Sequence, residues 1–258
     1  MNVKFRILGS GEWGLAIAHH LSKNHYSVEI CGRTESKIDI LNQKRRFKPL
    51  DIKFNENVSF DYLSNISKKS YSKNTYNIIA TSSSGFADVV MKNSNYLSDY
   101  SNFIWLTKGL DKKSHKFFDE VLIDSFGDSI NCCLISGPSF AKDLVSGKKI
   151  TVSIASNSTS FMNTIEKYFV TDNFIMHTTN DLIGVQVAGV MKNIAAILSG
   201  ILTANNYVLS DINTMIEVAK KEIFEITKHI YSMRNLPLND DTIRETLESP
   251  SCDGDLKL

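Results

Sequence analysis

A glycine-rich turn close to the start of the chain limits the folds open to it. Gly9-Ser10-Gly11-Glu12-Trp13-Gly14 follows a β-rich run, Val3–Leu8, and a helical pattern comes directly after it. In this context Gly9 permits a tight turn, Gly11 lets the backbone approach a pyrophosphate, and Gly14 lets helix and strand pack closely. The free N–H groups and the positive dipole end of the helix favour phosphates. The segment therefore predicts a dinucleotide-binding α/β unit.

Further β-rich runs alternate with helical patterns through the first two thirds of the chain. The predicted strands are Val3–Leu8, Ser27–Cys31, Tyr76–Thr81, Phe103–Thr107, Cys132–Ile135 and Thr151–Ala155. The predicted helices lie near 13–23, 35–46, 84–97, 113–125 and 158–168. Several strands are nearly continuous apolar runs, which is typical of parallel strands covered on both faces. The alternation predicts an α/β fold with a doubly wound, Rossmann-type parallel sheet.

The pattern changes near Asn180, because only helical patterns follow, at 181–203, 211–234 and 239–249. We expect a dinucleotide-binding Rossmann-like domain over residues 1–179 and an all-helical substrate domain over residues 180–258. The run Leu182–Leu202 is apolar enough to suggest a membrane span. A central lysine such as Lys192 costs about 2.5–3.5 kcal/mol in a spanning helix. We therefore predict a buried helix of a soluble protein and no membrane partner.

The charge balance and the cysteine and histidine patterns argue against several classes of function. The chain carries 29 Lys and Arg against 28 Asp and Glu, a formal net charge of +1. A protein that binds nucleic acid through its phosphates is normally strongly basic, so no nucleic-acid partner is expected. The cysteines form no CxxC pair and the N-terminus lacks a signal-peptide pattern, which predicts a cytoplasmic protein with reduced thiols. The histidines show no ligand spacing, so no metal is expected.

Arg33 follows the second predicted strand, where a dinucleotide site contacts the ribose of the cofactor. An Asp or Glu at this tip favours the 2′-hydroxyl of NAD, whereas a nearby Arg suits the 2′-phosphate of NADP. Glu35 lies just beyond Arg33. The sequence therefore favours NADP, or tolerance of both NADP and NAD.

Two lysines lie where ligands bind in open α/β sheets. Lys108, in Thr107-Lys108-Gly109, follows a predicted strand at its C-terminal end. Ser136-Gly137-Pro138-Ser139-Phe140-Ala141 follows the next strand and predicts a turn that opens a short helix. Lys192 shares a helix face with small residues such as Gly189 and Ala196, so that another element or a ligand can come close to it.

Taken in chain order, these segments resemble those of the NAD(P)-dependent glycerol-3-phosphate dehydrogenases of the bacterial type. The resemblance is carried by Gly9 through Gly14, Thr107-Lys108-Gly109, Ser136 through Ala141, Gly189 through Ala196 with its Lys-Asn pair, and Gly254-Asp255-Leu256. It implies hydride transfer between NAD(P)H and dihydroxyacetone phosphate or sn-glycerol 3-phosphate, which supplies glycerol 3-phosphate for phospholipid synthesis. A phosphorylated small molecule is the expected partner, and a homodimer is left open.

The resemblance also implies roles for individual positions. Lys192 matches the catalytic lysine, which accepts a proton in alcohol oxidation and donates one in ketone reduction. The positions matched to substrate contacts are Lys108, Gly137, Ser139, Asn193 and Asp255. The positions matched to cofactor contacts are Gly9, Gly11, Glu12, Trp13, Gly14, Arg33, Lys108 and Ala141. A lysine suits this acid–base role if burial and a second cation lower its pKa towards about 7–8.

The last quarter of the sequence departs from the family pattern. The loop Thr203–Ser210 has no glycine, Lys221-Glu222 stands where Arg-Gly is expected, and Ser249–Asp253 replaces a small, glycine-containing run. The sequence ends at Leu258, and no residue matches the family's arginine for the substrate phosphate. We therefore expect a truncated substrate domain in which Asp255 frays. Two alternatives stay open: a lysine-dependent reductase of another small substrate, and a degenerate nucleotide-binding remnant with little turnover.

Overall fold

The computed structural model describes residues 3–68, 74–97, 102–237 and 239–257. The strands are β1 (Lys4–Leu8), β2 (Ser27–Gly32), β3 (Arg46–Phe47), β4 (Ile52–Lys53), β5 (Val58–Tyr62), β6 (Thr75–Ile79), β7 (Asn102–Trp105), β8 (Asn131–Ser136), β9 (Ile150–Ser156) and β10 (Phe174–Thr179). The helices are α1 (Glu12–Lys23), α2 (Glu35–Lys44), α3 (Ser83–Lys92), α4 (Ser94–Leu97), α5 (Phe118–Phe126), α6 (Ala141–Val145), α7 (Thr159–Phe169), α8 (Leu182–Ala204), α9 (Leu209–Met233) and α10 (Asp240–Leu247).

The main sheet has the strand order β10-β9-β8-β7-β6-β1-β2-β5. From β5 to β8 all neighbouring strands are parallel. This part of the sheet has the strand order of a Rossmann fold, and the order reverses between β1 and β6, where such folds bind dinucleotides. The predicted α/β fold class, a doubly wound sheet followed by helices, is confirmed.

One pairing differs from the predicted parallel sheet, because β9 runs antiparallel to β8. The connection between them holds only the short helix α6, which is too short to carry the chain back across the sheet. After α6 the chain therefore returns to the sheet at the end where β8 finished, and β9 runs back alongside β8. Since β10 pairs parallel with β9, both strands run against the rest of the sheet.

The sheet is covered on both faces, as the apolar strands require. β1 is buried from Phe5 to Leu8, and β8 is buried from Cys132 to Ser136. Apolar side chains on one face pack with α1 and α7, and those on the other pack with α3 and α5. Burial of these two faces is the main stabilising contribution to the sheet.

The helices after β10 begin with α8, whose first turn is capped by the buried Asp181. The Asp181 carboxylate accepts a hydrogen bond of 2.7 Å from the backbone N–H of Gly184. α8 and α9 pack against each other, and α10 and a π-helical turn, Pro250–Gly254, complete this part of the chain. The sheet thus ends at Thr179 and the helices follow, although the division into two domains stays a prediction.

The prediction that all of α8 is buried is only half right. Leu182–Gly189 are buried, whereas Ile194, Ile197 and Ile201 are about half exposed or more. By length and apolar composition alone α8 could cross a membrane. Its second half is exposed because α9 packs against only one side of it within the described residues, the side that carries the buried Ala195.

Candidate active site

The glycine-rich turn is held tightly against the strand on the far side of the crevice. Gly9 has a φ of +127°, and a Cβ atom there would lie 2.4 Å from the carbonyl oxygen of Ala80. A Cβ on Gly14 would lie 2.8 Å from the carbonyl oxygen of Gly9. At Gly11, by contrast, a Cβ would have a single neighbour, the Ala80 oxygen at 4.0 Å. The turn therefore leaves open the backbone face that a pyrophosphate approaches.

A cavity of about 320 Å³ lies beside this turn, between the ends of β1 and β6. Its lining includes Gly9, Gly11, Arg33 and Lys37, together with Ala80-Thr81-Ser82 after β6. Arg33 is exposed at the tip of β2, so its guanidinium is free to meet a ligand at the outer end of the cavity. The geometry fits a dinucleotide whose phosphates lie on the turn and whose ribose lies towards Arg33.

Lys37 is a residue of this cavity that the sequence analysis missed. Its ammonium donates a hydrogen bond of 2.5 Å to the carbonyl oxygen of Ser10 within the turn, and it lies over the ring of Phe47. Burial lowers the pKa of Lys37, and the nearby Glu12 opposes the shift. No local pattern indicated it, because Arg33 lies before the N-cap Thr34 and outside α2, and only the fold brings both cations to the same cavity.

The other predicted cofactor positions lie around the start of α1. Glu12 is the exposed first residue of that helix, where the positive end of the helix dipole stabilises a negative charge. Trp13 and Ala141 are half-buried and pack against the same apolar core. None of these three lines the cavity beside the turn. Their roles as cofactor contacts stay predictions.

Lys108, Lys192 and Asp255 come together from three separate parts of the chain. The ammonium of Lys192 lies 2.7 Å from Oδ1 of Asp255, and the ammonium of Lys108 donates to Oδ2 of the same carboxylate. Gly189, one helical turn before Lys192, faces the side chain of Lys108, since a Cβ on Gly189 would lie 3.7 Å from it. The small residue on α8 thus lets the two lysines approach the same carboxylate.

The loop after β8 closes the site from another side. The carbonyl oxygen of Gly137 accepts hydrogen bonds from Lys108 Nζ at 2.8 Å and from the hydroxyl of Ser139 at 3.0 Å. Gly137 has a φ of +144°, and a Cβ there would lie 3.1 Å from Cα of Val152. Glycine at this position therefore turns the carbonyl towards Lys108.

Burial and charge act in opposite directions on Lys108. The pKa of Lys108 is lowered from the usual 10.5 to about 8: burial is the largest cause, Asp255 opposes it, and the neighbouring Lys192 adds to the lowering. Desolvation favours the neutral amine, and a second nearby cation favours it too. The charge of this cluster therefore changes near pH 8.

The expectation that Asp255 frays is wrong. Asp255 is 4% exposed, and its carboxylate pairs with both lysines. Two ion pairs and the packing of the preceding turn against Pro138 hold it, which outweighs its closeness to the last residue of the sequence. Asn193, the remaining predicted substrate contact, is exposed one residue beyond Lys192.

Comparison with known proteins agrees with this arrangement. Residues 4–162 match the family described as NAD-dependent glycerol-3-phosphate dehydrogenase N-terminus. The chain belongs to this family. A glycerol-3-phosphate dehydrogenase [NAD(P)+] of Legionella pneumophila (strain Lens) is 31% identical over all of this chain and 74% of that protein. The one from Bartonella henselae is 34% identical over 77% of this chain and 58% of that protein.

A solved structure supports the fold. The chain superimposes on glycerol-3-phosphate dehydrogenase from Coxiella burnetii with a TM-score of 0.84 and 24% identity. The match covers 100% of this chain and 75% of that one. The resemblance drawn from the sequence motifs is confirmed, and with it the class of NAD(P)-dependent oxidoreductase. The matches support the glycerol-3-phosphate dehydrogenase interpretation and neither of the two alternatives.

Proposed function

We propose that this protein transfers hydride between NAD(P)H and dihydroxyacetone phosphate, forming sn-glycerol 3-phosphate, and catalyses the reverse oxidation. The observation that carries the proposal is the pairing of Lys108 and Lys192 with Asp255 at the carboxyl ends of the strands. The cluster adjoins the dinucleotide cavity, because the Thr107 hydroxyl donates a hydrogen bond of 2.8 Å to the carbonyl of Thr81. Membership of the glycerol-3-phosphate dehydrogenase family supplies the substrate class.

The glycine-rich turn and the start of α1 would hold the cofactor's phosphates, and Arg33, which lines the same cavity as Lys37, would face its ribose. When bound, NADPH or NADH would supply the hydride that reduces the ketone. The backbone face of Gly11 is open to the pyrophosphate, whereas Gly9 and Gly14 shape the turn beneath it. Glu12, Trp13 and Ala141 take their cofactor roles from the family resemblance.

Lys192 is the proton donor in ketone reduction and the acceptor in alcohol oxidation. Reduction builds negative charge on the carbonyl oxygen, so a positioned ammonium both stabilises that charge and donates the proton. Asp255 orients the Lys192 ammonium through the 2.7 Å contact. Lys108 adds a second positive charge beside the substrate, and its ammonium is fixed by Gly137 as well as by Asp255.

The substrate lies against the loop after β8 in this proposal. Gly137 and Ser139 contact it from that loop, and Asn193 contacts it from the exposed side of α8. The net positive charge of two ammoniums and one carboxylate attracts a phosphorylated substrate. The protein is soluble, and we place it in the cytoplasm, where it supplies glycerol 3-phosphate for phospholipid synthesis. The proposal leaves a homodimer open, and the molar mass in solution would decide it.

Cofactor oxidation with a substrate panel tests the proposal. NADPH and NADH consumption would be followed with dihydroxyacetone phosphate, dihydroxyacetone, and 2-dehydropantoate, alongside a fluorescence titration of each cofactor. We expect turnover with dihydroxyacetone phosphate alone. Turnover with 2-dehydropantoate instead would assign the chain to a related reductase. Cofactor binding without any turnover by a folded sample would favour the nucleotide-binding remnant, and failure to bind either cofactor would contradict the assignment of the glycine-rich turn.

A further inference from the structure

A buried lysine outside the proposed catalytic cluster contacts the turn that carries Asp255. Lys220 on α9 is 6% exposed, although a lysine is rarely buried without partners. Its ammonium lies 2.7 Å from Oδ1 of Asp253 and 3.0 Å from Oε1 of Glu248, with Glu217 at 3.7 Å. It therefore joins α9 to Asp253 within the π-helical turn Pro250–Gly254 and to Glu248, the C-cap residue of α10 just before that turn.

Lys220 occupies an apolar position of its helix. It follows Ile216 by four residues and precedes Ile223 by three, and both of these are buried. At helical spacing a buried isoleucine face continues through Lys220, so its alkyl chain is buried, while its ammonium lies at the edge of that face among the carboxylates of Asp253, Glu248 and Glu217. A charge in such a position is costly unless it is paired, and the pairing here is with the turn before Asp255.

Buried hydroxyl groups hold the same turn from the sheet side. The Ser153 hydroxyl on β9 donates to that of Ser249 at 3.2 Å and accepts from the backbone N–H of Ser251 at 3.1 Å. The Ser249 hydroxyl in turn donates a hydrogen bond of 2.7 Å to the carbonyl of Thr246. All three serines are buried. The turn is thus fixed by a hydroxyl network on one side and by the Lys220 ammonium on the other.

We infer that Lys220 is a positioning residue, which fixes the turn Pro250–Gly254 through Asp253 and thereby sets Asp255 between Lys108 and Lys192. This inference rests on the proposed function, in which Asp255 orients the two ammoniums. Asp255 follows the turn directly, so a shift of the turn moves its carboxylate. Displacements of about 1 Å in such groups lower turnover on the order of a hundredfold.

The test compares Lys220→Met with Lys221→Met, which removes the neighbouring exposed lysine. Two quantities are measured: kcat and KM for NADPH-dependent reduction of dihydroxyacetone phosphate, and the pKa of Lys108 by competitive acetylation across pH with mass spectrometry. We expect Lys220→Met to lower kcat about ten- to hundredfold, with little change in KM for NADPH. The pKa of Lys108 should fall below about 8, because Asp255 raises it in the native protein. Lys221→Met should match the wild type.

Lys220→Arg and Asp253→Asn complete the test. The arginine keeps the charge and should restore both quantities at least in part. Asp253→Asn removes the charge of the same contact from the side of the turn, together with the more exposed pair to Lys257. It should lower kcat and the Lys108 pKa even if Lys220→Met does not fold. A merely structural role would lower the melting temperature while leaving both quantities of folded Lys220→Met or Asp253→Asn at wild-type values, which would overturn the inference.

The Lys108 pKa is measured without substrate, so the two proposals fail separately. If the wild type does not turn over dihydroxyacetone phosphate but Lys220→Met and Asp253→Asn lower the pKa of Lys108, the positioning inference stands and the proposed function fails. If the wild type is active and neither variant changes kcat or the pKa, only the positioning inference fails.

Discussion

The Lys192 ammonium lies 2.7 Å from Oδ1 of Asp255, a residue 63 positions further along the chain. The Asp255 side chain is fully buried, whereas the Lys192 side chain is 22% exposed. The carboxylate is thus enclosed, while part of the lysine side chain stays accessible. Such an arrangement holds a cation in place and leaves it able to meet a ligand.

Removing the charge of Asp255 should destabilise the protein as well as inactivate it. Asp255→Asn leaves the two ammoniums facing each other without a counter-charge, and breaking a buried pair this way costs about 3 kcal/mol or more. Urea unfolding followed by circular dichroism measures the change. Asp240→Asn is the control, because Asp240 pairs with Lys228 near the surface and should cost about 1 kcal/mol or less. Equal losses in the two variants would contradict the account.

The pH dependence of reduction should follow Lys108. Its pKa of about 8 means that the ammonium is present below pH 8 and is lost as the pH rises through that value. Since the protonated form supplies positive charge to the substrate, kcat/KM for reduction should fall above about pH 8, by up to tenfold per pH unit. Lys108→Met should lower kcat/KM and abolish this break, whereas the exposed Lys112→Met should keep it. A break retained in Lys108→Met would assign the titration to another group.

Two glycine substitutions should separate the contribution of the turn to stability from its contribution to cofactor binding. Gly9→Ala places a methyl group 2.4 Å from the Ala80 carbonyl and should lower the melting temperature. Gly11→Ala meets no atom closer than 4.0 Å, so the free protein should keep its melting temperature. The same methyl group would obstruct the pyrophosphate, and cofactor affinity should fall about tenfold or more. Unchanged NADPH affinity in Gly11→Ala, measured by fluorescence titration, would count against the proposed phosphate site.

Cofactor preference should depend on Arg33. A charge-assisted contact to the 2′-phosphate contributes about 1.5–3 kcal/mol, so Arg33→Ser should weaken NADPH binding roughly ten- to hundredfold. NADH binding should change little, because NADH lacks that phosphate. Arg46→Ser, on the β3–β4 hairpin, is a control of the same type. Isothermal titration of both cofactors measures the difference, and equal losses for NADPH and NADH would show that Arg33 does not read the 2′-phosphate.

The sequence predicted most strands of the sheet where a continuous apolar run marks the strand. The buried runs of β1, β2, β6, β7, β8 and β9 were predicted within one or two residues at each end. β5 and β10 were missed, because Val58–Tyr62 and Phe174–Thr179 mix polar and apolar residues as edge strands do. The antiparallel direction of β9 follows from the short connection between β8 and β9, and the residue pattern of a strand does not indicate its direction.

The candidate site was accessible only in part. The position of Lys108 at a strand end and the small residues beside Lys192 indicate a ligand site from the sequence alone. Asp255 entered through the family resemblance alone, and its contact with Lys108 joins residues 147 positions apart. Lys37 and Lys220 were missed because their partners, Ser10 and Asp253, are set by tertiary packing.

Lys192 supplies the proton in the proposed reduction of dihydroxyacetone phosphate. A comparison of NADPH oxidation by Lys192→Met and by the wild type, at equal cofactor saturation, measures this role. General acid–base catalysis contributes on the order of a hundredfold to ten-thousandfold, so turnover should fall by at least a hundredfold with cofactor affinity unchanged. A folded Lys192→Met protein that reduces dihydroxyacetone phosphate within tenfold of the wild-type rate would contradict the account.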